Sequence, residues 1–171
     1  AFFFLEQAMP PEAGFSTFAG VELAALGERE GTPLYVYSAP AIRARVRALQ
    51  AALHGLDAGI CYAVKANGNG AVLRLLAGEG AGADIVSGGE LQRALRAGIP
   101  AERIVFSGVG KSDAEIAMAL RAGIARFNVE SGAELDAIQR IAAGNHAVAR
   151  ASVRINPDVD ARTHAKISTG K

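Results

Sequence analysis

One lysine at the end of an apolar run carries the clearest chemical signal in this sequence. Lys65 closes the stretch Ile60-Cys61-Tyr62-Ala63-Val64-Lys65. The chain contains only four lysines against fourteen arginines, so arginine ordinarily supplies its solvated positive charge. Alternation along a strand would place Cys61, Ala63 and Lys65 on one face. Because the residues beside the lysine are small, this face has room for a ligand.

Burial of this lysine would make its amine a nucleophile. Burial disfavours the charged form of a lysine and yields the free amine that condenses with an aldehyde. The alternative is a strand-end lysine that extends its ammonium into solvent, and the spacing alone leaves both interpretations open. A short Tyr-x-x-Lys also occurs on a helix in unrelated oxidoreductases, but the β-branched and aromatic neighbours of Lys65 favour a strand.

The elements that must position this lysine alternate along the chain from Leu34 onward. The pattern predicts strands over residues 34–37, 59–65, 83–86, 104–107, 126–129 and 149–155. It predicts helices over residues 39–53, 70–77, 88–97, 112–122 and 132–142. Short connections with helical crossovers imply a parallel sheet.

The predicted helices show apolar stripes and a repeated stop signal. The stripes are Leu91, Ala94, Leu95 and Ile99, and then Ile116, Ala119, Leu120 and Ile124. Arg-Ala-Gly-Ile occurs at 96–99 and again at 121–124, which predicts a left-handed glycine after each helix. A doubly wound sheet and a (β/α)8 barrel both fit this pattern. A closed barrel needs about 250 residues, so a barrel would be present only in part.

Composition excludes several classes of function. A formal net charge of +1 is too small to attract nucleic acid or an anionic membrane through a broad positive electrostatic field. The single cysteine excludes an internal disulfide framework, and no two histidines have the spacing of metal ligands. No apolar run reaches the roughly 18 residues that cross a bilayer, and the N-terminal phenylalanines lack a basic leader. We therefore expect a cytoplasmic protein with a small-molecule substrate and no metal.

Several segments, taken together and in order, resemble one known family. They are residues 31–37 (GTPLYVY), 62–67 (YAVKAN), 83–91 (ADIVSGGEL), 106–111 (FSGVGK), 127–131 (FNVES), 154–160 (RINPDVD) and 163–170 (THAKISTG). The chain resembles, from about Gly31 to Lys171, the pyridoxal-phosphate-dependent decarboxylases built on the alanine-racemase-type barrel. The segment 62–67 is similar to the cofactor-lysine motif of that family.

The resemblance implies a fold and an activity. The fold would be an α/β (β/α)8 TIM barrel of the alanine racemase type, present only in part and without the family's C-terminal β domain. Residues 1–38 would form an N-terminal segment and strand that pair with that β domain, and residues 39–171 the first part of the barrel. Lys65 would form the Schiff base with pyridoxal 5'-phosphate. The expected reaction converts meso-2,6-diaminopimelate to L-lysine and CO2 in a full-length homodimer, whereas these residues alone would be inactive.

The resemblance also implies roles for other residues, each with a structural alternative. Asp84 and Arg154 would bind the cofactor, although Asp84 could instead cap the helix that begins near Ser87, and Arg154 could form an ion pair inside the barrel. The substrate or loop candidates are Asn128, His164 and Ser168, where a core amide and solvated loop residues are the alternatives. Ser87 and Glu90 suggest a capping box. The segment 108–111 (GVGK) suggests a phosphate loop only weakly, because the phosphate of a barrel enzyme usually lies after later strands.

Other functions stay open at this stage. The same chemistry could act on another basic amino acid, such as ornithine, arginine or carboxynorspermidine. A non-catalytic carrier that binds and buffers pyridoxal phosphate would also present a strand-end lysine. A plain interaction module with an exposed sheet edge is the third possibility.

Overall fold

Helices and strands alternate along residues 17–155, the part of the chain that the computed structural model describes. The strands are β1 (Thr17–Phe18), β2 (Val21–Glu22), β3 (Cys61–Ala63), β4 (Gly82–Ile85), β5 (Ile104–Phe106), β6 (Arg126–Val129) and β7 (Ala151–Val153). The helices are α1 (Leu23–Glu30), α2 (Ala39–Ala52), α3 (Gly70–Gly78), α4 (Gly88–Arg96), α5 (Asp113–Ala122) and α6 (Gly132–Gly144). Two 3-10 turns, Val64–Ala66 and Ala101–Arg103, follow β3 and precede β5.

Strands β3 to β7 form one parallel sheet in the order in which they occur in the chain. A doubly wound sheet reverses its strand order at a switch point, whereas a barrel adds each new strand beside the previous one. Among the described strands the order shows no reversal. The observed sheet therefore favours the barrel over the doubly wound alternative.

The core lies between one face of this sheet and helices α3 to α6. Leu91 and Ala94 of α4 and Ile116 and Ala119 of α5 are fully buried, as the apolar stripes predicted. Leu95 is an exception, because it is 38% exposed. It follows Ala94 directly and is therefore rotated by about 100° away from the buried side of the helix.

The ends of the helices follow the local signals in the sequence. Side-chain oxygens of a polar N-cap residue accept backbone N–H groups at the start of helices α2 to α6, the caps being Ser38, Asn69, Ser87, Ser112 and Ser131. After α4 and α5, Gly98 and Gly123 adopt φ angles of +87° and +72°. The two predicted left-handed glycines are therefore confirmed.

The N-terminal part of the structure differs from the prediction. Residues 34–37 do not form a strand, because within residues 17–155 no strand lies beside them to complete a ladder. The β1–β2 hairpin and helix α1 were not predicted. Helix α1 begins after Glu22, whose carboxylate accepts from the N–H groups of Ala24 and Ala25. Glutamate at this position is not a recognised start signal, which explains the omission.

Glu79 links helix α2 to α3 through hydrogen bonds. Helix α2 contains no fully buried residue. Glu79, at the end of α3, accepts from Arg47 at 2.7 Å and from Arg43 at 2.6 Å, and its carbonyl accepts from Gln50 at 2.6 Å. The hydrogen bonds from Arg47 and Arg43 lower the pKa of Glu79. The carboxylate therefore stays ionised and joins α2 to α3.

Position 82 at the start of β4 requires glycine, because the backbone of Arg103, just before β5, lies very close to it. A Cβ atom at this position would lie 2.1 Å from the backbone oxygen of Arg103, a distance that no real contact allows. We predict that Gly82→Ala lowers the free energy of unfolding by about 1–3 kcal/mol, since β4 and β5 must move apart. Denaturant unfolding of the full-length protein measures this change.

The matched control is Gly78→Ala, in the last turn of α3, where a Cβ atom would meet nothing within 4 Å. This change should leave the protein as stable as the parent or slightly more stable, because alanine has the higher helix propensity. Equal denaturant midpoints for the two variants would show that the structure accommodates a methyl group at residue 82 without loss of stability.

Candidate active site

Polar side chains collect where the strands of the parallel sheet end. We call this place the carboxyl edge and define it by Lys65, Asp84, Ser107, Asn128, Glu130 and Arg154. The register pairs Ala63 with Asp84 and Asn128 with Ser152, so equivalent positions of neighbouring strands lie side by side. In parallel α/β folds ligands bind at this edge, because loops and polar side chains converge there.

Lys65 lies just beyond the end of β3. The strand stops at Ala63, and the chain then forms a 3-10 turn in which Val64 is buried and Lys65 is exposed. Ala63 is the register partner of Asp84, so Lys65 lies two residues beyond the level of that acid. An accessible amine thus follows one strand and a carboxylate lies on the neighbouring strand, both at the carboxyl edge.

One part of the sequence-based expectation for Lys65 is wrong: the strand predicted over residues 59–65 ends at Ala63, and a 3-10 turn follows. The structure also decides between the two interpretations of this lysine, because Lys65 is exposed. Val64 is buried on the side of Tyr62, as the alternation predicts. In addition, β3 is an edge strand of the described sheet, with only β4 beside it.

The residues around Lys65 hold this turn in place. Tyr62 packs against the core, and its burial raises the pKa of the phenol, opposed by a backbone hydrogen bond with Asn67. The side chain of Asn67 accepts from the N–H of Asn69 at 3.0 Å. Arg93 of α4 donates to the carbonyl of Gly68 at 3.2 Å. The segment after Lys65 is thereby fastened to both α3 and α4.

A chain of side-chain hydrogen bonds crosses β4, β5 and β6. The amide of Asn128 donates to the hydroxyl of Ser107 at 2.9 Å, and this hydroxyl donates to Oδ1 of Asp84 at 2.5 Å. Ser87, not Asp84, caps helix α4. The helix-cap alternative for Asp84 is therefore wrong, and Asp84 and Asn128 are brought together through Ser107.

Arg154 meets a carboxylate, as expected for an arginine at this position. Its guanidinium donates to Oε2 of Glu130 at 3.1 Å, and Oε1 of Glu130 accepts from the N–H of Gly108 at 3.2 Å. The side chain of Arg154 is still 52% exposed, compared with 16% for Glu130. Most of the guanidinium donors therefore face outward, where an anionic ligand could bind them.

The loop at 108–111 does not present its lysine to a phosphate. The ammonium of Lys111 donates to the carbonyl of Gly108 at 2.7 Å, to the carbonyl of Asn128 at 2.9 Å and to Oε1 of Glu134 at 2.5 Å. Its side chain is completely buried. Because an ammonium group has three donors, none is left for a ligand, and the phosphate-loop interpretation is not supported.

The glutamates in the first turns of the helices reach back to the strand ends. Ser87 accepts from the N–H of Glu90, as the predicted capping box requires, but the carboxylate of Glu90 accepts from the N–H of Val86 instead of Ser87. Glu134 accepts in the same way from the N–H of Glu130. These carboxylates therefore fix the direction in which β4 and β6 enter the following loops.

Glu115 joins the starts of two helices. Its Oε2 completes a capping box with Ser112, and its Oε1 accepts from the N–H of Gly88 at 2.7 Å. The hydrogen bond from Gly88, then those from the backbone and hydroxyl of Ser112, lower the pKa of Glu115. The starts of α4 and α5 are thus linked through an ionised side chain.

A cavity of about 750 Å³ lies against the sheet, mostly toward the amino ends of its strands, with Cys61, Gly82, Arg126 and Asn128 in its lining. Burial, and then the charge of Asp84, raise the pKa of the Cys61 thiol, while Arg126 lowers it. A smaller cavity of about 340 Å³ lies at the carboxyl edge between Ser107, Glu130 and Arg154. The described sheet therefore has space for a ligand at the carboxyl edge, beside Ser107, the residue that binds Asp84.

Other predicted residues and sites have different outcomes. His164 and Ser168 lie outside the described residues. Between residues 17 and 155 no three histidine, cysteine or acidic residues form a group that could hold a metal ion. No helix in that part of the chain is long and apolar enough to cross a membrane.

Sequence reasoning missed three side chains that organise this site. Ser107 was named only as the end of a predicted strand, although a hydroxyl at the carboxyl end of a parallel strand is itself a signal. Lys111 and Glu134 gave no clear signal, because their ion pair joins residues far apart in the sequence. Only the fold brings them together.

The chain matches known proteins over most of its length. A family model described as "Pyridoxal-dependent decarboxylase, pyridoxal binding domain" matches residues 40–171. Diaminopimelate decarboxylase of Neisseria meningitidis serogroup B is 54% identical over 145 residues, which are 85% of this chain and 35% of that protein. The chain thus spans about a third of the length of this relative.

Solved structures of decarboxylases also superpose on this chain. The structure of diaminopimelate decarboxylase from Helicobacter pylori in complex with L-lysine superposes with a TM-score of 0.84 at 49% identity, covering 87% of this chain and 38% of that chain. The structure of lysine/ornithine decarboxylase from Vibrio vulnificus in complex with putrescine superposes with a TM-score of 0.68 at 32% identity, covering 78% of this chain and 35% of that chain.

The lowered pKa of Glu115 predicts how the stability of the protein depends on pH. The folded pKa of Glu115 is lowered, so its contribution to stability is present above the pKa of the unfolded chain and is lost as pH falls through the folded pKa. Glu115→Gln should lower the free energy of unfolding at neutral pH by about 1 kcal/mol, because an amide cannot accept with both of its ends. Denaturant midpoints of the full-length protein between pH 3 and pH 7, a range set by the ordinary carboxyl pKa of about 4.3, measure this.

The matched control is Asp113→Asn, which changes an exposed carboxylate in the same turn of α5. This variant should follow the parent at every pH. A gap between Glu115→Gln and the parent that stayed constant down to pH 3 would show that the charge of Glu115 is not responsible.

Proposed function

Because this chain belongs to the pyridoxal-dependent decarboxylases, whose pyridoxal binding domain it matches over residues 40–171, we propose that the full-length protein converts meso-2,6-diaminopimelate to L-lysine and CO2. Membership of the family confirms the sequence-based prediction of a pyridoxal-dependent decarboxylase. It also confirms the predicted fold class, a (β/α)8 barrel of which this chain covers a part. The five parallel strands in sequential order are the described portion of that barrel.

One observation carries the choice of reaction. The chain is 54% identical to a diaminopimelate decarboxylase over 85% of its length, and along that length Lys65 follows β3, whose last residue pairs with Asp84 of β4. Identity to the lysine/ornithine enzyme is lower, at 32%. Diaminopimelate is therefore the substrate we favour over ornithine.

The residues at the carboxyl edge fit pyridoxal phosphate. Lys65 supplies an exposed amine, Asp84 a carboxylate of which only Oδ1 accepts from a described residue, and Arg154 a half-exposed guanidinium. Bound pyridoxal phosphate supplies an aldehyde for amines and a ring that accepts the electron pair left when the carboxylate departs as CO2. These three side chains are the groups of this chain that we assign to holding it.

Each residue has a task that its contacts allow. Lys65 provides the amine, which a ligand can reach because the residue is exposed. Asp84 is oriented by Ser107, which fixes Oδ1 and leaves Oδ2 to a ligand. Arg154 is oriented by Glu130 and offers its remaining donors to an anionic group. Asn128 acts on Asp84 through Ser107, and it stays a candidate for touching the substrate because it also lines the cavity at the carboxyl edge.

Several earlier expectations stay proposals. His164 and Ser168 are assigned to a substrate-binding loop on the family resemblance. We expect a cytoplasmic homodimer for the full-length enzyme and no turnover by residues 1–171 alone. Sedimentation of the full-length protein tests the dimer, and CO2 release by the isolated chain would contradict the last expectation.

We predict that borohydride reduction of the full-length holoenzyme attaches the cofactor to Lys65. Replacement Lys65→Ala should remove this adduct and reduce CO2 release at least about 10³-fold, since the nucleophilic amine is lost. Peptide mapping by mass spectrometry locates the adduct. Arg121→Ala, which removes an exposed cation in the last turn of α5, is the control and should retain both the adduct and CO2 release. An adduct on another lysine would contradict the assignment.

We predict the substrate from a panel assay. The full-length enzyme should release CO2 from meso-2,6-diaminopimelate with a higher kcat/KM than from ornithine, arginine or carboxynorspermidine. Activity on ornithine alone would favour the other basic amino-acid decarboxylases. Cofactor binding with no CO2 release from any of these amino acids would favour the non-catalytic carrier.

A further inference from the structure

Lys111 is buried where its ammonium group can act only on other parts of the protein. Its side chain is 0% exposed, and its three donors are all used by Gly108, Asn128 and Glu134. The ring of Phe106, itself fully buried, lies 5.5 Å below the ammonium and closes this side to water. Any effect of Lys111 on the site is therefore transmitted through the groups that it holds.

The first of these connections leads to Asp84. Lys111 binds the carbonyl of Asn128, whose side-chain amide donates to Ser107, whose hydroxyl donates to Asp84. A shift of the Asn128 backbone would move the amide and, with it, the hydroxyl that orients the carboxylate.

The second connection leads to Arg154. One oxygen of Glu134 accepts from Lys111, and the other accepts from the N–H of Glu130 at 2.7 Å. The side chain of Glu130 in turn accepts from Arg154 and from the N–H of Gly108. Gly108 therefore takes part twice, because its carbonyl also accepts from Lys111.

We propose that Lys111 is a positioning residue that sets the geometry of Asp84 and Arg154 together. This inference rests on the proposed function, since it concerns the reaction at these two residues. Lys111 joins the loop after β5, the end of β6 and the start of α6 at a single nitrogen. Arginine cannot replace it there, because a planar guanidinium spreads its donors over three nitrogens.

The test uses the full-length holoenzyme and the variant Lys111→Met, which keeps an unbranched side chain of nearly the same length and removes the charged nitrogen. We expect kcat per bound cofactor to fall at least about tenfold, because small misplacements of catalytic groups are costly, while KM changes less than about threefold. Lys111→Arg should not rescue kcat. Normalising to bound cofactor, measured by absorbance, separates positioning from a loss of folded protein.

A double-variant cycle tests the connection itself. If Lys111 acts partly through Ser107, the loss of kcat in Lys111→Met combined with Ser107→Ala will be smaller than the product of the two single losses. The matched control is Arg140→Met, which breaks an exposed ion pair between α6 and Asp113 and should leave kcat per bound cofactor unchanged.

Two results would overturn the proposal: kcat per bound cofactor in Lys111→Met within twofold of the parent, or strictly multiplicative losses in the cycle. If Lys111→Met yields no folded holoenzyme, Glu134→Gln takes its place and should lower kcat per bound cofactor at least about threefold relative to Arg140→Met. Equal values would then reject the proposal. A parent enzyme without CO2 release or a Lys65 adduct would instead refute the proposed function.

Discussion

The parallel register of β3 to β7 is the constraint on which the site depends. Because every strand runs in the same direction and pairs without a slip, residues distant in sequence arrive at one edge at the same height. Asp84, Ser107 and Asn128 come from three strands, yet they form one hydrogen-bonded chain. A shift of one residue in any pair would turn these polar side chains into the apolar layer under the helices. The packing of that layer therefore maintains the chemistry on the other face.

Polar groups near the core are satisfied by a small number of shared partners. Glu134 and Glu130 each accept from two different groups, Glu115 accepts from three, and Lys111 donates to three. Among the described residues, no buried side-chain nitrogen or oxygen lacks a partner. Since an unpaired buried charge is expensive, each of these side chains is restricted to one arrangement. Order at the carboxyl edge thus comes from electrostatics as well as from packing.

Much of the sheet could be predicted from residues alone. The strands at 83–86, 104–107 and 126–129 agree with β4, β5 and β6 within a residue, because apolar runs bounded by capping serines and left-handed glycines identify them. The turn at Lys65 was not predictable, since Val64 and Lys65 continue the strand pattern and only the fold shows that the strand ends at Ala63. The choice between barrel and doubly wound sheet required the strand order, which local patterns do not contain.

The candidate site was predictable in its residue types but not in its connections. Asp84, Asn128 and Arg154 stand out as polar residues on apolar strands, and all three lie at the carboxyl edge. Their partners Ser107 and Glu130 depend on which strands are neighbours.

The attachment of α2 has a further consequence: a helix secured by the charge of Glu79 and without buried side chains opens more readily than α4 or α5. The backbone amides of α2 should therefore exchange with deuterium early. The strand that leads to Lys65 thus follows a part of the chain that unfolds locally more often than the core helices do.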